Sequence, residues 1–329
     1  MGREAPWLDA RRMQAVSDHQ PSPLQAEHGH QPTIVCGVDG SVHARAAARL
    51  ASALATRLGW RLVLVHAVLV AVPPLSTEPW FDRRQTRARD AARRLEEELR
   101  RDLGAPQLQM EIRSGPAAQC IVSAADERRA GLIVVGCRGV GTLSAAVAGA
   151  VTDAILANAA CPVAVVPPAV AETGAEPLTG DTILCGVQRS DDVACARVAH
   201  ALARGLGGRL VLAHVLPRRA DAAALTPAGV VRATLAARGV TREQAAVAAL
   251  RRVCDELPAA DAADFRVRCG NAARELTDLA IAEDAMLLVV GSRRWRGPLR
   301  AALLGSVSRQ LVRVGRRPVV LCPGSPPSG

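Results

Sequence analysis

Ile34-Val35-Cys36-Gly37-Val38-Asp39-Gly40-Ser41 is an apolar run that breaks at an aspartate and a glycine, just before the amphipathic stretch Val42–Leu58. The run returns as Ile183-Leu184-Cys185-Gly186-Val187. Short continuous runs of Val, Ile and Leu fit strands buried on both faces of a parallel sheet. Other segments repeat in the same order. Arg61-Leu62-Val63-Leu64-Val65-His66 matches Arg209-Leu210-Val211-Leu212-Ala213-His214, and Leu132-Ile133-Val134-Val135-Gly136 matches Leu287-Leu288-Val289-Val290-Gly291. Cys161-Pro162-Val163-Ala164-Val165-Val166 pairs with Arg317-Pro318-Val319-Val320-Leu321-Cys322. The chain therefore reads as an internal duplication.

Each copy alternates five strands with four helices, Val42–Leu58 and Asp82–Leu103 among them. That alternation implies right-handed crossovers. The expected fold is α/β: two tandem Rossmann-like domains, each a five-stranded parallel sheet with helices on both faces. The expected boundaries are a disordered tail over 1–31, a domain over 32–168, a linker over 169–180, a second domain over 181–323 and a tail over 324–329. The linker, AVAETGAEPLTG, is small-residue and Pro/Gly-containing.

Composition excludes several chemistries. The chain has 329 residues, 49% of them apolar, and a formal charge of +10. It contains no Lys, so all 41 basic residues are Arg. A Walker A loop, a protein-kinase strand lysine and a Schiff-base amine are thus ruled out. Many Arg lie beside acids, as in Arg93-Arg94-Leu95-Glu96-Glu97-Glu98, and read as a solvated helix face rather than a nucleic-acid patch. Aromatics are only 2% of the chain, too few for base-stacking platforms. No apolar run reaches membrane-spanning length, and the N-terminus has no signal-like apolar region, so no membrane association and a cytoplasmic location are expected. The nine Cys are dispersed, without a C-x-x-C pair; Cys36 and Cys185 read as small buried hydrophobes.

Ligands of open parallel sheets sit beyond the carboxyl ends of the strands. After the first strand, Asp39 can cap the following helix or accept from a ribose hydroxyl or adenine edge. After the fourth come Gly136-Cys137-Arg138-Gly139, nine residues, and Gly149-Ala150-Val151-Thr152 opening a helix expected over Val151–Ala157. A phosphate there meets free N–H groups and the positive end of the helix dipole, with Thr152 as a hydroxyl donor. A glycine-rich structural turn is the alternative. His66 and His214 close equivalent strands and read as partners of backbone carbonyls. No G-x-S-x-G elbow, H-E-x-x-H motif or paired carboxylates appear at any strand end, and no catalytic residue is assigned.

Val38-Asp39-Gly40-Ser41, Gly115-Pro116, Gly136-x2-Gly139-x9-Gly149 and the strand opening at Cys161-Pro162 resemble the universal stress protein family. The resemblance spans nearly all of the chain outside residues 1–30 and the linker. It implies the adenine nucleotide alpha hydrolase-like fold and ATP as ligand, with Mg²⁺ bridging the phosphates. It places Val38, Asp39 and Ala67 by adenine and ribose, and Gly136, Arg138, Gly139, Gly149, Ala150, Val151 and Thr152 around the phosphates. The second copy's counterparts are Gly291, Arg293, Gly305, Ser306, Val307 and Ser308. It also implies pairing of last strands, here an intramolecular pseudo-dimer, with a homodimer of such units as a further step.

The departures are specific. Ala150 stands where the family usually has Ser or Thr. In the second copy Gln188 replaces the aspartate, Arg189 the next glycine and Arg294 the second motif glycine, and Gly291 to Gly305 is one residue longer than Gly136 to Gly149. The expected function is an ATP-binding regulatory or protective stress-response module with its site in the first copy. The rivals are a nucleotide-free interaction module and a slow ATPase.

Overall fold

A computed structural model of the chain describes residues 31–68, 79–105, 108–137, 149–174, 178–188, 192–218, 241–258, 263–292 and 305–323. Most of the expected N-terminal tail lies outside these residues, as do Arg138, Gly139, Arg189, Arg293 and Arg294. The first half comprises β1 (Thr33–Gly37), α1 (Val42–Leu58), β2 (Arg61–Val68), α2 (Pro79–Asp102), β3 (Gln109–Ser114), α3 (Ala117–Glu127), β4 (Leu132–Gly136), α4 (Ala150–Asn158) and β5 (Val163–Val166). A short helix α5 (Pro168–Thr173) follows, inside the stretch read as linker. The second half comprises β6 (Thr182–Gly186), α6 (Val193–Leu206), β7 (Arg209–Leu216), α7 (Arg242–Asp255), β8 (Asp264–Cys269), α8 (Ala272–Ala282), β9 (Ala285–Ser292), α9 (Ser306–Val314) and β10 (Val319–Pro323). Among the described residues no helix is long and apolar enough to cross a membrane.

Local chemistry sets these boundaries. Ser41 caps α1, accepting from the Ala44 N–H at 3.1 Å, and Gly59 ends it in the left-handed region at φ 67°. α7 opens with a capping box between Thr241 and Gln244. Alternate residues of β1 enter opposite layers: Ile34 and Cys36 pack under α1, whereas Val35 packs with Ile121 of α3 and Ile155 of α4. All are buried, which is why the strands read as unbroken apolar runs.

Both halves share one ten-stranded sheet, ordered β3-β2-β1-β4-β5-β10-β9-β6-β7-β8. Within each half the strands are parallel, and β1 lies between β2 and β4. The halves join where β5 and β10 run antiparallel, pairing Val163 with Leu321, Ala164 with Val320 and Val165 with Val319. Each of these six residues is at most 2% exposed. Pro162 and Pro318 precede the joint; their carbonyls accept from Ile133 and Leu288 at 3.0 Å, so the missing proline N–H leaves no gap in the ladder. The apolar layer under α1 continues to α6, so the halves share their core. The connection between them is pinned: Leu178 is buried, and Arg317 donates to Thr179 and Asp284.

The outer strands β3 and β8 carry paired charges, which guard open edges. At β3, Glu111 pairs with Arg128, and Arg113 forks onto Glu127 at 2.8 and 2.6 Å. At β8, Glu283 pairs with Arg266 and Arg209. These hydrogen bonds hold the Glu283 carboxyl below its usual range. Glu111 and Arg266 are each the third residue of their strand, and Arg128 and Glu283 each cap the helix that follows. The ion pair is thus the same pair with its charges exchanged.

In urea melts, reversing Glu111→Arg alone should cost about 1 kcal/mol. The double change Glu111→Arg with Arg128→Glu should recover only part of it, because Glu111 also pairs with Arg113 and Arg128 with Glu127. Asp153 of α4 supplies a second test. Burial raises its carboxyl, Arg309 of α9 partly opposes the shift, and its Oδ1 has no hydrogen-bond partner among the described residues. A carboxyl raised on folding favours the native state at low pH, and that contribution is lost as pH rises through the folded pKa. Asp153→Asn should therefore raise Tm at neutral pH, with the gain fading as pH falls through the folded pKa and gone below about pH 4.

Candidate functional site

β1 is the switch point of the first half, because one crossover leads from it to β2 and the later ones return to its other side at β4. In sheets of this kind the ligand crevice lies beyond the carboxyl ends of these two strands. One wall is the β1–α1 turn. Val38 is buried; its N–H donates to Val65 at 2.9 Å, and its carbonyl lies 2.8 Å from His66 Nδ1. The ring must donate through Nδ1 in that bond, leaving Nε2 as an acceptor when neutral. Val187 and His214 repeat the arrangement at 2.8 Å. Both histidines are thus carbonyl partners, as expected from their position. Ala67, one residue beyond His66, is half-buried beside Arg113 of β3.

Asp39 does not cap the helix, one of the roles open to it in sequence. Its Oδ1 accepts from the Ser41 N–H at 3.0 Å, closing a turn that lets the Ser41 hydroxyl be the cap. The signal was present, since Ser directly before an amphipathic run is a strong start.

The other wall is the start of α4. The Gly149 N–H donates to the Cys137 carbonyl at 2.9 Å, so the chain leaves and re-enters the site at adjoining points. The first bond within α4 runs from the Asp153 N–H to the Gly149 carbonyl at 3.1 Å. The N–H groups of Ala150, Val151 and Thr152 precede that bond, and the Ala150 and Val151 side chains are exposed. Thr152 corrects the sequence reading of a hydroxyl phosphate donor. Its side chain is 3% exposed and donates to the Gly136 carbonyl at 3.0 Å, which leaves only its backbone N–H for a ligand. Ser308 does the same toward Gly291 at 3.2 Å. Ser306 is exposed at the position of Ala150, with Val307 beside it half-buried and Gly305 before it as the cap.

The two crevices differ at their floors. A Cβ on Gly136 would lie 2.7 Å from the His43 carbonyl carbon and oxygen, so only glycine lets α1 press its backbone onto the end of β4. Among the described residues, the nearest group to a Cβ on Gly291 would be Asp192 Oδ1, at 3.4 Å. The β6–α6 connection is longer than its counterpart, and Asp192 folds its carboxylate back to accept from the Gln188 N–H at 2.8 Å. The second crevice thus has a carboxylate against its first glycine, where the first has packed backbone. Sequence reasoning missed Asp192 because Gln188 held the expected aspartate's place.

A doubly wound parallel sheet with a crevice framed by a strand-end turn and a helix start defines a class of nucleotide-binding-type domains. Comparison with known proteins narrows it. The model of the universal stress protein family matches residues 32–167 and again 180–323. A universal stress protein encoded in the 3' region of a QAH/OAS sulfhydrylase gene of Thermus aquaticus is 36% identical over 134 residues, 41% of this chain and 97% of that protein. A universal stress protein of Archaeoglobus fulgidus has the same fold, with a TM-score of 0.59 at 16% identity over 89% of this chain and 98% of its own. A Pseudomonas aeruginosa protein of unknown function follows at 0.53 and 17%, over 89% of this chain and 93% of its own. The chain belongs to the universal stress protein family, in tandem form.

The contrast between the glycines is testable. Gly136→Ala should destabilise by about 1–3 kcal/mol, since a helix backbone must move. Gly291→Ala should stay within about 1 kcal/mol of the parent in the same denaturant melts.

Proposed function

We propose that the first half binds one ATP in its crevice, and that the protein acts in the cytoplasm as a regulatory or protective module of the stress response. The observation that carries this reading is the asymmetry of the two floors. In the first half the exposed start of α4 faces a crevice floored by packed backbone. In the second, the Asp192 carboxylate stands at the equivalent glycine. An anionic phosphate is drawn to the first and repelled by the second.

The N–H groups of Ala150, Val151 and Thr152 would hold the phosphates, with Gly149 allowing close approach. Gly136, Arg138 and Gly139 complete the same loop. Asp39, Val38 and Ala67 would line the adenosine end. Mg²⁺ would bridge the phosphates, keeping most of its water shell, and would neutralise charge there. Gly291, Arg293, Gly305, Ser306, Val307 and Ser308 form the weaker counterpart. Each half keeps what the other lacks: the first retains its aspartate and glycines, the second the serine after the last glycine.

Calorimetric titration of the full chain with ATP and Mg²⁺ should give one site per chain. Ala150→Ser restores a hydroxyl toward a charged phosphate, worth about 1.5–3 kcal/mol, and should tighten binding roughly tenfold or more. Ala150→Asp places a carboxylate at an exposed helix start, which helices accept, and should abolish binding. Ser306→Asp should leave it unchanged. No heat at millimolar ATP would overturn this reading and favour a nucleotide-free interaction module. Steady phosphate release would make the protein a slow ATPase.

A further inference from the structure

The second crevice has a feature the first lacks. Cys185 of β6, Cys195 in the first turn of α6 and Cys322 of β10 converge beneath it, each at most 3% exposed. The sulfurs of Cys185 and Cys195 are 3.8 Å apart. Cys322 pairs in the sheet with Gly291, the glycine that faces Asp192. The corresponding residues of the first half are Cys36, Ala47 and Val166, so only one of the three thiols has a counterpart. The cluster belongs to the half that departs from the nucleotide pattern. Nothing in the nucleotide reading uses it.

We propose that this cluster is a peroxide-responsive dithiol in which Cys195 and Cys185 form a disulfide. The sulfurs are already in contact at 3.8 Å, against a bond of about 2 Å. Cys195 is the attacking group. Its neighbours Cys185 and Cys322 hold its thiol below the usual range, against the opposing effects of burial and of Asp192. The thiols of Cys185 and Cys322 are held well above theirs.

The chemistry balances with hydrogen peroxide as the oxidant. The Cys195 thiolate attacks one peroxide oxygen, the O–O bond breaks, and the departing hydroxide takes a proton to become water. Cys195 is then a sulfenic acid. The Cys185 sulfur attacks the Cys195 sulfur, the S–O bond breaks, and the hydroxyl leaves as water with the Cys185 proton. Two thiols lose two electrons, and one peroxide becomes two waters. Burial selects the oxidant. A peroxide is close to water in size and can reach the first turn of a helix by local opening, whereas a bulky thiol reagent meets only the exposed Cys269.

The experiment treats the reduced full chain, with Cys269 replaced by Ser, with hydrogen peroxide, then denatures it, alkylates it and digests it with trypsin. Arg189 separates Cys185 from Cys195, so a bond between them links two peptides. The expected result is the loss of two alkylatable thiols per chain, a mass lower by two hydrogens and a Cys185–Cys195 cross-link. Cys195→Ser and, separately, Cys185→Ser should each abolish that loss while keeping the parent circular dichroism spectrum. Retention of all thiols under peroxide would overturn the proposal. So would the same loss in a folded Cys195→Ser variant, or a link from Cys195 to Cys322 in place of Cys185. None of these readouts depends on nucleotide, so the ATP reading and this one stand or fall apart.

Discussion

The last strand of a parallel sheet leaves one row of N–H and C=O groups without partners, and both of its faces still need cover. β5 and β10 are such strands, and each supplies what the other lacks. Val163, Ala164 and Val165 meet Leu321, Val320 and Val319 in antiparallel register, all of them buried. This pairing makes two small sheets into one and lets the layer beneath α1 run on to α6. It also explains why the segment between the halves is tied down. Leu178 is buried, and Gly180 holds φ at +86° where a Cβ would strike the Asp284 carbonyl. A connection so constrained sets the halves in one arrangement.

The same joint leaves the two crevices free to diverge. Neither switch point takes part in the pairing, so changes at the β6–α6 turn do not disturb the sheet. At that turn the Asp192 carboxylate stands beside Gly291. In the first half, by contrast, the close approach of α1 to Gly136 holds β1, α1 and β4 in one rigid corner. One helix start stands beside packed backbone and the other beside a carboxylate and buried thiols, on equivalent backbones.

Much of this was legible in sequence where a single physical demand acted on consecutive residues. Strands buried on both faces had to be unbroken apolar runs, and α1 occupies Val42–Leu58 because its start and stop signals are local. α2 begins at Pro79 rather than Asp82, and α4 at Ala150 rather than Val151, the scale of error expected where helix ends fray. The antiparallel joint was anticipated through the family resemblance, not through any pattern in the strands. What sequence could not convey was how polar side chains are spent. Thr152 looks like a ligand donor until a carbonyl in the next element claims its proton. Cys185, Cys195 and Cys322 have no telling spacing, since only the crossing of a helix over two non-adjacent strands brings them together.

The exchanged ion pairs at the sheet's outer edges bear on the chain's history. Glu111 with Arg128, and Arg266 with Glu283, solve one problem with opposite signs. Copying either residue alone from one half into the other would set like charges side by side on an outer strand. Recombination that swapped a short segment between the halves would be selected against at that point. Two copies of one domain thereby became a pair that can no longer be averaged, each free to keep its own crevice.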